Sequence, residues 1–257
     1  MLILKTFIKM ISDLKSLDIK IFTSREKMGN AAGSDVESKI IEILKVKSEL
    51  RMIFAAAPSQ NELLDYLAAS QMIEWNRIIA FHMDEYIGLP DEASQLFSEY
   101  LNNRLFKKVL FKEIHLINGQ NYPAKEAARY AEIIKQVPID IICLGIGENG
   151  HIAFNDPSVA DFNDMEIVKE VELDKSSRLQ QVNEGCFSTL EQVPERALTI
   201  TIPTIMKANF LFCVVPGKRK HNAVYKTLYG PIENKCPATV LRTHHACKFY
   251  FDTDSFY

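Results

Sequence analysis

Two acidic residues, Asp84 and Glu85, directly follow the apolar run "RIIAFHM" at 77–83. A carboxylate at a strand end has two uses. It can cap a helix, or it can act as a general base, taking a proton from carbon beside a carbonyl where dry surroundings raise its basicity. Further on, "LGIGENGHIAFNDP" (144–157) sets His151 after three glycines, with Glu148 and Asn149 before it and Asp156 after it. Histidine is the side chain whose ordinary pKa suits proton exchange near neutrality, and a neighbouring carboxylate can fix its tautomer. A loop histidine bonded to a backbone carbonyl is the plain structural alternative.

Gly145, Gly147 and Gly150 match G-x-G-x-x-G, but Pro157 interrupts the helix that a dinucleotide loop requires. The glycines are better explained as letting the backbone turn tightly and approach a ligand. In "VVPGKRKHN" (214–222), Lys218, Arg219 and Lys220 open a helical pattern after a strand. Cations there oppose the helix dipole unless an anion is bound. The small-residue stretch "AAAPSQN" (55–61) offers backbone N–H groups, with Ser59 and Gln60 beside them. No metal-ligand set stands out, no G-x-S-x-G elbow occurs, and no cofactor is implied.

Strand–helix alternation must position these residues. Strands are expected at 19–22, 51–57, 77–83, 139–147, 197–203, 210–216, 238–243 and 248–252. Helices are expected at 34–47, 61–70, 124–136 and 218–230, with Ser34 as a helix cap. Runs such as "IDIICLGIG" are apolar on both faces, as in parallel strands covered by helices on each side. The fold class is therefore α/β, doubly wound around a mostly parallel sheet. No repeat or linker divides the 257 residues, so one domain is expected. The four polar stretches all follow strands, where open parallel sheets bind ligands.

The bulk composition narrows the field. A net charge of −3 gives no case for nucleic acid or an anionic membrane. Five cysteines without a CxxC fit a reducing, cytoplasmic setting. The N-terminal stretch, residues 1–20, is punctuated by Lys5, Lys9, Asp13 and Lys15. It is expected to form a peripheral amphipathic helix, not a signal or a span.

"MDEYIGLP", "GHIAFNDP", "VPERALTITIPTIM" and the basic "GKRK" turn, in this order, resemble the glucosamine-6-phosphate deaminase/isomerase family. That family lies within the fold group shared with ribose-5-phosphate isomerase and 6-phosphogluconolactonase. Lactonase relatives carry threonine and serine in place of "IAFN". The resemblance implies conversion of an aminosugar 6-phosphate, glucosamine 6-phosphate first, to fructose 6-phosphate and ammonia. The steps would be ring opening, aldose–ketose isomerisation and deamination. It implies Asp84 as the carboxylate moving the C2 proton, His151 as the ring-opening residue, and Asp156, in place of a glutamate, as its orienting partner. Lys220 is the implied phosphate lysine, with Ser59, Gln60, Glu85 and Gly150 as further substrate contacts. A homo-oligomer is left open.

Three departures accompany the resemblance. Asn149 stands where better-known members have a catalytic aspartate, and an amide takes no proton; Glu148 is the candidate substitute. "AAAPSQN" replaces a glycine- and threonine-rich phosphate loop. The stretch after "NDP" lacks the basic residues of an allosteric phosphate site, so no such allostery is expected. Arg178 is not securely matched to the family's phosphate arginine. These departures together are similar to a variant subgroup. The alternatives are a galactosamine-6-phosphate isomerase, a related sugar-phosphate isomerase or lactonase, and a catalytically retired sugar-phosphate sensor.

Overall fold

The computed structural model describes residues 17–257. Seven strands form a parallel sheet: β1 (Asp18–Phe22), β2 (Leu50–Phe54), β3 (Ile78–His82), β5 (Glu113–His115), β6 (Ile141–Leu144), β9 (Phe210–Val215) and β10 (Cys247–Asp252). Their order is β1-β10-β9-β6-β2-β3-β5. The chain builds outward from β2 in one direction through β3 and β5, and in the other through β6, β9 and β10. The winding therefore reverses between β2 and β6, which pair directly. A crevice opens at such a point beyond the strands' carboxyl ends. The strands β2, β3 and β6 are buried along their whole length, which is why their sequences are nearly continuously apolar. One apolar cluster packs on each face of the sheet, around Met52, Phe54 and Tyr250 on one side and Ile53, Ile142 and Phe249 on the other.

A second, three-stranded antiparallel sheet was not expected. It orders β4 (Asp84–Tyr86), β8 (Arg196–Ile200) and β7 (Val168–Glu172) as β4-β8-β7. Of the run expected as one more strand, 197–203, residues 197–200 belong to this smaller sheet, and Ile202 and Pro203 open a short helix. Residues 238–243 are a correction: Pro237–Thr243 form a 3-10 helix. Pro237 lacks a ladder donor and starts a helical turn readily, and the apolar residues are buried by the turn itself.

The helix expected from 34 begins nine residues earlier, as α1 (Arg25–Leu44), with Ser24 and not Ser34 accepting the capping bond from the Lys27 amide. Gly29 and Gly33 lie inside it. A Cβ on either would stand 2.3 Å from Glu62 or 2.7 Å from Tyr66, so the glycines permit close packing against α2 (Asn61–Ala69). The N-terminal helix expected over 1–20 lies outside the described residues up to 16, and residues 18–20 belong to β1. Among the described residues, no helix is long and apolar enough to cross a membrane.

Candidate active site

The crevice between β2 and β6 widens into a cleft of about 530 Å³, open to solvent. Its floor is Ala56, Ala57 and Ser59, following β2, and Gly145 to Gly147, following β6. Asp84, His151 and Lys220 face it from three different loops or strands.

Asp84 is held on β4 opposite Thr199 of β8. The residue is 7 % exposed, its carboxyl has no hydrogen-bond partner among the described residues, and it lines the cleft together with Phe97 and Phe154. Burial, helped by the neighbouring Glu85 charge, pushes it well above the ordinary carboxylate range. Such a group is basic and unencumbered. Glu85 corrects the expectation of a substrate contact. Strand alternation turns it to the opposite face, where it accepts from the amides of Tyr86 (2.9 Å), Phe97 (3.0 Å) and Ser98 (2.9 Å). It caps α3 (Phe97–Leu101). The capping use of a strand-end carboxylate thus falls to Glu85 and leaves Asp84 free of it.

His151 hangs from a tight turn. Gly147 donates to the His151 carbonyl (2.9 Å) and accepts from Gly150 (3.0 Å), and Gly150 has φ +89°. The imidazole lies flat on Gly147, where an added Cβ would sit 2.2 Å from the ring. We therefore expect Gly147→Ala to displace His151 and lower kcat by about 10–100-fold while the protein stays folded, since a shift near 1 Å has that scale of effect; steady-state kinetics with circular dichroism checks it.

His151 Nδ1 lies 2.8 Å from Ser177 Oγ and 3.1 Å from Asp156 Oδ1, and Ser177 in turn donates to Asp156. The acceptors on this side assign the ring proton to Nδ1 and leave Nε2 free to exchange a proton. Asp156 is fully buried and also accepts from Asn149 Nδ2 (2.9 Å) and the Asp174 amide (3.1 Å). Burial works to raise its carboxyl, but the bonds from His151, Asn149 and Ser177 outweigh it and hold it below the ordinary range. The shorter side chain in place of glutamate is thereby accommodated, with Ser177 filling the gap.

The 151–156 loop is tied to β8: Phe154 N donates to Thr199 Oγ1 (3.1 Å) and Asn155 Nδ2 to the Ile200 carbonyl (2.9 Å). The same strand pairs with Asp84. β8 therefore sets the spacing between Asp84 and His151.

Lys220 is the one inward-facing member of the basic turn. Its side chain is buried, while Lys218 and Arg219 are exposed. Several expected contacts do not reach the cleft. Gln60 is wholly buried beneath it, donating to Ser59 and to the carbonyls ending β6 and β9. Gly150 spends both backbone groups on Gly147 and Ala238. Asn149 uses its amide on Asp156, Ser176 and the His151 amide, so it braces the histidine loop and does not line the cleft. Glu148 also lies off the cleft wall, and its Oε1 is buried without a partner. Arg178 is pinned to the Val193 and Leu190 carbonyls.

The far wall was missed. It is α4 (Lys175–Asn183) and the residue after it. Ser177 reaches His151, and Gln180, Gln181 and Glu184 line the cleft. The available signal was spacing: buried polar residues at i, i+3 and i+4 share one helix face, but a helix this polar has no apolar stripe to reveal it.

A parallel α/β sheet with a free carboxylate, an oriented imidazole and a lysine at its switch point defines a class of proteins that move protons on a small anionic ligand. Comparison narrows this class. The model of the glucosamine-6-phosphate isomerases/6-phosphogluconolactonase family matches residues 23–250, and the chain belongs to that family. It is 34% identical over 238 residues to the glucosamine-6-phosphate deaminase of Listeria welshimeri, covering 92% of this chain and 98% of that protein. It is 38% identical over 173 residues to that of an Exiguobacterium species, covering 67% and 66%. The solved structure of a monomeric glucosamine-6-phosphate deaminase superposes with a TM-score of 0.83 at 26% identity, covering 93% of this chain and 98% of that one. A 6-phosphogluconolactonase from Thermotoga maritima shares the fold, with a TM-score of 0.75 at 19% identity.

Proposed function

We propose that the protein converts glucosamine 6-phosphate and water to fructose 6-phosphate and ammonia. The observation that carries this reading is the partnerless, buried Asp84 in the same cleft as His151, whose Nδ1–H is held by Ser177 and Asp156. Opening the pyranose needs an acid–base group at the ring oxygen, and His151 Nε2 serves there. Isomerisation then needs a base that takes the C2 proton and returns it at C1, which suits a carboxyl of raised basicity. The resulting C2 iminium adds water and expels ammonia. Lys220 and Ser59 hold the phosphate end. The relatives' names support this substrate. Asn149 does not weaken the reading, because its amide is engaged in bracing the loop that carries His151.

The test is ammonia release from glucosamine 6-phosphate, with galactosamine 6-phosphate run in parallel. Faster release from glucosamine 6-phosphate is expected. Faster release from the other epimer would reassign the substrate, and no release from either would overturn the reaction.

A further inference from the structure

Lys220 is the only lysine or arginine on the cleft wall among the described residues, and it is not free. Its Nζ lies 3.2 Å from Glu184 Oε1. That oxygen also accepts from Gln180 Nε2 at 2.9 Å, while Glu184 Oε2 is buried with no hydrogen-bond partner. The nearest arginines are turned elsewhere: Arg178 to the Leu190 and Val193 carbonyls, and Arg219 to the Asn183 carbonyl. The other electrostatic neighbours of Glu184 are the Cys186 thiol, which burial and this carboxyl push up to about 11, and the Tyr86 hydroxyl. Asp84 and His151 line the same cleft. A ligand phosphate that reaches Lys220 therefore meets a carboxyl group already on that lysine. A dianion beside a carboxylate, with one ammonium between them, is relieved by a single proton shared by the two oxyanions.

We propose that Glu184 is a specificity-determining residue: it makes the cleft take the ligand's phosphate together with one proton, and so selects a phosphate ester over a sulfate ester, which has no proton to share. This rests on the reading that Lys220 holds the phosphate of a sugar phosphate. Glu184 Oε1 stays with Gln180 and Lys220, and a P–OH of the ligand donates to the carboxylate. In this arrangement one proton enters with the ligand at alkaline pH.

The experiment is calorimetric titration with glucitol 6-phosphate, which has no aldehyde and does not react, and with glucitol 6-sulfate. It is run at about pH 6.5 and about pH 8, in buffers of different ionisation enthalpy. Wild type is expected to take up close to one proton per phosphate ligand bound near pH 8. Its Kd should rise by roughly five- to tenfold per pH unit above the phosphate's second pKa of about 6. The sulfate ester should bind at least about tenfold more weakly. In Glu184→Gln, whose amide can donate to a dianion, the uptake should vanish, the pH dependence flatten and the sulfate gap close. Phosphate binding by wild type without proton uptake, or unchanged uptake in Glu184→Gln, overturns the proposal while leaving the sugar-phosphate reading intact. No binding of glucitol 6-phosphate by either protein overturns both.

Discussion

Asp84→Asn is expected to lower turnover by about 10²–10⁴-fold, the range over which a positioned acid–base group contributes, and to leave a protein more resistant to unfolding at pH 8. The two effects have one cause. Asp84 is nearly desolvated, shares the cleft lining with Phe97 and Phe154, and has Glu85 beside it. Nothing among the described residues compensates its charge, so folding favours the protonated form. With the folded pKa raised above the unfolded one, the native state holds more protons in the window between them. Stability is then full below the unfolded carboxylate value of about 4 and falls as pH rises through the folded value. The asparagine variant carries no charge and loses this slope. Urea unfolding of both proteins at about pH 4 and pH 8 should show the variant's advantage only at the higher pH. A variant with normal kcat, or one with no pH-dependent advantage, would remove Asp84 from its role as the buried base.

Asp156→Asn should show the opposite stability behaviour with a comparable kinetic loss. Asp156 accepts bonds from Asn149, His151, Ser177 and the Asp174 amide. An amide has one acceptor end, so its NH₂ must face at least one of these donors. The expected cost is about 1–3 kcal/mol of stability, the penalty of unmatched buried polar groups. The imidazole also loses the acceptor that assigns its Nδ1 proton and the charge that balances an imidazolium. Removing the orienting carboxylate in this way lowers kcat by on the order of 10²–10⁴-fold. Because the Asp156 carboxyl is held low in the folded state, its contribution is present above about pH 4 and is lost as pH falls through the folded pKa. Wild type should therefore lose stability more steeply than the variant on acidification, measured as Tm against pH from about 6 down to 3. Unchanged kcat in the variant would show that Ser177 alone orients the ring.

These two carboxyls also show how far local sequence reaches. Asp84 and Glu85 are adjacent, chemically alike, and follow the same apolar strand. Their fates diverge because alternate side chains of β4 point to opposite faces, and only the pairing of β4 with β8 decides which face is the cleft. The sequence suggested both a cap and a base at this point but had no way to assign them. The same holds for the basic turn. Lys218, Arg219 and Lys220 are equivalent as a motif, and burial singles out Lys220. The anion inferred from cations at a helix start proves to include the protein's own Glu184.

What the sequence determined by itself was the parallel core, the loops that follow β2, β6 and β9, the placement of His151 and Lys220 in them and of Asp84 just after β3, and the family. Those features depend on local apolar runs, on glycine turns and on motifs contiguous in the chain. The tertiary structure alone decided the small antiparallel sheet, the partnership of Ser177 with His151 and Asp156, the bracing role of Asn149, and the α4 wall that brings Glu184 to Lys220. Each of these joins polar residues that are far apart in sequence or rests on a face with no apolar stripe. Hydrophobic periodicity carries no record of such contacts, because they are fixed only when distant strands pair and the crevice between β2 and β6 closes around them.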